Sequence, residues 1–147
     1  MGLDMYLRAE KYLGWREEDK TKSAILELFP ELAAIKAEPK SISFEVMYWR
    51  KSNQIHSWFV DNCQDGVDEC QNTEVSREQL QTLLGLCKAV LADHSKAKEL
   101  LEPQGGFFFG STDIDDWYFK DLEQTVEGLE KALTLPDEWD FQYHSSW

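Results

Sequence analysis

Gly2-Leu3-Asp4-Met5-Tyr6-Leu7-Arg8 and, toward the other end of the chain, Trp139-Asp140-Phe141-Gln142-Tyr143-His144-Ser145-Ser146-Trp147 both alternate apolar and polar side chains. A period of two puts Leu3, Met5 and Leu7 on one face of a strand and Asp4, Tyr6 and Arg8 on the other, as in a sheet with one face in a core. The two stretches are therefore expected to pair in one small antiparallel sheet.

The residues between them add helices to that sheet. Ser23 to Phe29 and Glu31 to Ala37 have helical patterning around Pro30, which either kinks one helix or opens a second in its first turn. Ser41 to Val46 alternates as another short strand. Ser76 with Gln79 three residues later is a capping box, and Leu80, Leu83, Leu84, Cys87, Val90 and Leu91 then recur at helical spacing. Gly105-Gly106-Phe107-Phe108-Phe109-Gly110 reads as a short buried strand before a helix capped by Ser111 or Thr112. Ile114, Tyr118, Leu122, Val126, Leu129 and Leu133 give that helix its apolar stripe, with Asp113 to Asp116 at its positive end. The expected fold is α+β, a single domain over residues 1–147 with several helices packed on a small antiparallel sheet that includes both termini.

Composition limits what such a domain can do. Apolar residues make up 42% of the chain and aromatics 13%, enough to sustain a core. A net charge of -13 opposes approach to nucleic-acid phosphates or anionic lipid, so neither direct nucleic-acid binding nor membrane association is expected. The first residues carry an acid at Asp4, and no apolar run reaches spanning length, which fits neither a signal peptide nor a membrane helix. Three cysteines, Cys63, Cys70 and Cys87, do not make a secreted disulfide framework, and a reducing, cytoplasmic setting is expected.

The block Tyr48-Trp49-Arg50-Lys51-Ser52-Asn53-Gln54-Ile55-His56-Ser57-Trp58-Phe59 mixes aromatics with functional polar groups. Taken as a helix, it puts Trp49, Arg50, Asn53 and His56 on one side and Ile55, Trp58 and Phe59 on another. Arg50 supplies a fixed cation, Asn53 a donor and acceptor, and His56 a group that titrates near neutrality, with Trp49 or Trp58 as a stacking wall. These five are the candidate ligand-binding residues, suited to a nucleotide or another anion; buried hydrogen bonding is the alternative role for Asn53 and His56.

Other patterns carry less chemistry. His56, Cys63, Cys70, Cys87 and His94 lack the close pairs of a zinc site, and Asp61 to Glu69 departs from a calcium loop at Cys63 and Asn72, so no metal and no cofactor are expected. Asp113, Asp115 and Asp116 would repel a phosphate held by the glycines before them. No nucleophile elbow occurs, and no catalytic residue is assigned. From Leu101 onward eleven acids face only Lys120 and Lys131. Asp113, Asp116, Glu123, Glu127 and Glu130 are the candidate partner-binding residues, either imitating a DNA backbone or forming an ordinary solvated face.

Met1-Gly2-Leu3-Asp4-Met5-Tyr6-Leu7, the 48–59 block, Gly106-Phe107-Phe108-Phe109-Gly110-Ser111 and the final Ser145-Ser146-Trp147 resemble a group of small phage and prophage-encoded hypothetical proteins with no established activity. What the resemblance implies is an accessory protein made inside a bacterium. The expected function is an acidic phage-type protein that binds and modulates a host protein, such as a nucleic-acid-handling or antiphage-defence factor. The alternatives are a small-molecule or nucleotide/anion-binding protein, or a minor enzyme, using Arg50, Asn53 and His56, and a structural or assembly component. Enzymatic activity is not the leading expectation, and oligomeric state is left open.

Overall fold

Four strands form one antiparallel sheet: β1 (Asp4–Tyr12), β2 (Ser41–Arg50), β3 (Thr73–Val75) and β4 (Trp139–Ser146), in the order β2-β1-β4-β3. The structure is a computed structural model that describes residues 2–14 and 19–147. The two terminal strands lie side by side at the centre, in register from Asp4 opposite Ser146 to Lys11 opposite Trp139. The alternation in both stretches is the cause. Met5, Leu7 and Ala9 of β1 and Phe141, Tyr143 and Ser145 of β4 are buried on one face, while their neighbours in sequence are at least partly exposed on the other.

Six α-helices complete the fold among the described residues. They are α1 (Asp19–Leu28), α2 (Pro30–Ala34), α3 (Asn53–Cys63), α4 (Arg77–Ala92), α5 (Ala97–Leu100) and α6 (Asp116–Ala132). Ser76 and Gln79 close the expected capping box on α4, with Gln79 N–H donating to Ser76 Oγ and Ser76 N–H to Gln79 Oε1. Leu80, Leu83, Cys87 and Val90 of α4 and Tyr118, Leu122 and Leu129 of α6 fill the core. Each such aliphatic or aromatic side chain contributes about 1.5–3 kcal/mol on leaving water. At Gly128 α6 comes so close to β2 that an added Cβ would lie 2.3 Å from Met47 Sδ. Pro30 opens α2 in its first turn, so the helices around it are two.

Three expectations are corrected. First, residues 48–59 are not one helix: β2 continues to Arg50, Lys51 turns the chain with φ 58°, and α3 begins at Asn53. Cross-strand partners explain the extension, since Tyr48, Trp49 and Arg50 pair with Tyr6, Met5 and Asp4. Second, Gly105 to Gly110 is a turn and not a buried strand. Phe107 is exposed, Phe108 half-buried and Phe109 buried, while Phe109 N–H donates to Gly106 O. Third, the cap of α6 is Asp115, whose carboxylate accepts from the amides of Trp117 and Tyr118. Ser111 and Thr112 lie too far before Asp116 to cap it, and the Asp115 carboxylate adds full charge to the helix terminus.

Candidate functional site

Trp49, Arg50, Asn53, His56 and Trp58 are split between the core and the surface by the strand-to-helix change at Lys51. Trp49 points inward from β2, wholly buried, and its indole Nε1–H donates to Thr125 Oγ1 at 2.8 Å. Arg50, next in the strand, points outward, with a nitrogen 3.7 Å from Asp4 Oδ1. Tyr48 O–H bonds the same carboxylate.

Asn53 is buried at the start of α3 and spends its amide on the loop before α6. Its Nδ2 donates to Phe109 O and Ser111 O at 3.0 and 2.8 Å, and its Oδ1 accepts from Gln104 N–H at 3.0 Å. Those three bonds use most of what an asparagine side chain offers. Trp58 is buried, edge-on to Phe59.

His56 is fully enclosed between β4 and the loop after α3. Nε2 lies 2.9 Å from Asp68 Oδ2 and Nδ1 2.7 Å from Tyr143 Oη, while the ring meets Phe109 edge-on. A carboxylate only accepts, so the ring donates from Nε2. In the neutral ring Nδ1 then accepts the Tyr143 O–H. Burial holds the Tyr143 hydroxyl well above the usual phenol range. Asp68 is held further by Trp147, whose Nε1–H donates to Oδ1 at 3.1 Å. The Asp68-His56-Tyr143 line resembles a proton relay in its parts, yet the ring has no exposed surface for a substrate to reach.

The cysteines are free thiols. Burial pushes Cys63 up to about 11 and Cys87 up to about 12, so both stay protonated at neutral pH and are weak nucleophiles. Among the described residues no three His, Cys, Asp or Glu side chains are placed to hold a metal.

What reaches solvent is the face of α6. Asp116, Glu123, Glu127 and Glu130 lie on one side of the helix, with Lys120 on the turn between the first two, and Asp113 is exposed just before it. Lysines bridge two of them: Lys131 Nζ is 2.6 Å from Glu127 Oε1, and Lys88 Nζ of α4 is 2.6 Å from Glu130 Oε1. At the head of this stripe Trp117 is 72% exposed, with Lys120 Nζ 4.6 Å above its ring, and Phe107 on the preceding turn is 95% exposed. The sequence pattern did not single out these two aromatics as surface residues. A signal for Trp117 was present, because it falls one position off the Tyr118-Leu122-Leu129 stripe. Phe107 had none, being one of three identical neighbours.

Between the end of β2 and the start of α6 lies an open cleft of about 310 Å³, lined by Arg50, Lys51, Gln54, Asp115, Trp117 and Asp121 among others. Burial raises the Asp121 carboxyl above the usual range. Compared with known proteins, the chain matches no family model, no curated protein and no solved structure.

Proposed function

We propose that the protein acts by binding another protein, with the Trp117 end of α6 as its contact surface. The exposed indole at the head of a helix whose solvent side carries Asp116, Glu123, Glu127 and Glu130 is the observation that carries this reading. Tryptophan is among the residues that dominate interface energetics, and a carboxylate stripe steers a basic surface toward it. A basic surface on a nucleic-acid-handling or defence protein has the complementary charge. The resemblance to phage and prophage proteins supports a bacterial host and a cytoplasmic setting for that partner.

The test is capture from bacterial lysate at low and moderate salt. Wild-type protein should retain a basic partner that Trp117→Ala with Glu123→Lys releases, and the retention should weaken as salt rises. A wild-type bait that retains nothing at either salt sinks the reading.

The cleft beside Arg50 supports a second reading, a small polar ligand held between Arg50 and Asp121 with Trp117 as a wall. A co-purified mass in native mass spectrometry, lost in Arg50→Ala, is its signature. A bare polypeptide removes it.

A further inference from the structure

The sheet has two edges of unequal kind. β3 is three residues long, whereas β2 runs for ten. At one end of the β1–β2 ladder Leu13 N–H donates to Lys40 O, and at the other Lys51 N–H donates to Leu3 O. Antiparallel pairing alternates, so Ile42 and Phe44 direct their amides to β1, while Ser41, Ser43 and Glu45 direct theirs to the outer edge. Near its far end α6 covers that edge, where the Gln124 side-chain amide donates to Tyr48 O at 3.1 Å. Among the described residues, none bonds the outward amides of Ser43 and Glu45. A strand edge left open in this way is a template for another strand.

The segment that joins β1 to β2 carries exposed apolar side chains. The α1–α2 excursion leaves and rejoins the sheet at the paired residues Tyr12 and Ser41, and Glu38 ties it back by bridging Lys22 and Lys40 at 3.0 and 2.6 Å. Leu28 is 75% exposed and Ile35 74%, and Phe29, Leu32 and Phe44 are exposed as well.

Charge and register select the occupant. Residues 20–46 contain four lysines and four glutamates and are neutral, although the chain as a whole carries -13. Two copies repel each other least across this strip, while a basic partner is drawn toward the acidic side of α6. The edge is also self-complementary. A two-fold axis at Ser43 sets Ile42 of one copy opposite Phe44 of the other and Ser41 opposite Glu45, with the outward amides facing each other.

We infer that the protein self-associates through β2, joining two four-stranded sheets across the Ser41–Glu45 edge. Sedimentation of the full chain on the order of 100 µM, where a micromolar dimer is nearly complete, reads this directly. Wild type should run at twice 17.1 kDa. Ser43→Pro removes an outward N–H and no bond to β1, and Phe44→Lys keeps every amide but charges the seam. Both should run as monomers with unchanged far-UV circular dichroism. If Ser43→Pro disturbs the fold, Phe44→Lys decides alone. A monomeric wild type overturns the inference, as does a dimer that persists in the folded variants. A wild-type monomer that pairs with an added extended peptide also overturns it and assigns the edge to a foreign strand.

Discussion

Trp49 and Thr125 are joined by a buried 2.8 Å hydrogen bond that fastens the end of edge strand β2 to the middle of α6. The Thr125 hydroxyl in turn donates to Asp121 O at 2.7 Å, so its donor and acceptor roles are both used. Thr125→Val keeps the shape and leaves the indole N–H unpaired inside the core. The expected loss is about 1–3 kcal/mol, read as a lower urea midpoint. An unchanged midpoint contradicts this role.

His56 gives a second prediction. His56→Ala leaves Tyr143 and Asp68 without their shared partner and opens a cavity beside Phe109, at a cost of about 2–4 kcal/mol. Tyr143→Phe removes a single hydroxyl and should cost about 1 kcal/mol. Neither should alter partner capture once the variants are compared below their unfolding transitions. Loss of capture in folded Tyr143→Phe would assign the buried line a functional part.

His144 predicts a pH response. Burial lowers its folded value below the 6.5 of a free imidazole, and Arg8 lowers it further. The unfolded chain therefore takes up the proton more readily, so this stabilisation is present at neutral pH and is lost as pH falls below about 6.5. Urea midpoints should drop across that window in wild type. In His144→Gln the same window should be flatter, with the remaining decline setting in where carboxylates titrate.

Asp121 has the opposite sign. Burial raises its carboxyl, so the folded chain holds that proton more tightly than the unfolded one, and stability falls as pH rises through the folded value. Asp121→Asn should raise the urea midpoint at neutral pH and give little gain near pH 3, where the carboxyl is already neutral. An equal gain at both pH values would point to packing and not charge.

The terminal strands and α4 were legible because each carries a complete local code: strict alternation with one buried face in the former, and a capping box followed by an apolar stripe in the latter. The 48–59 block misled because its decisive information is not local. Trp49 is inward because Met5 lies across the ladder, and the chain turns at Lys51 through a positive φ that its residue type does not announce. The ligand set drawn from that block consequently divided between core and surface. β3 escaped notice because three residues are too few to show a period. The acidic side of α6 was readable from spacing, whereas the exposure of Phe107 follows from a turn that Asn53 pins from 51 residues or more away in sequence.

The central pairing of β1 with β4 also sets a timetable for synthesis. A nascent chain can build the β1–β2 hairpin early, but β1 keeps its inner edge bare until residues 139–146 have left the ribosome. Closing so long a loop before any contact rewards it makes folding slow, and the waiting hairpin exposes backbone on both sides. During that interval the unpaired strand edges are open to pairing with another chain.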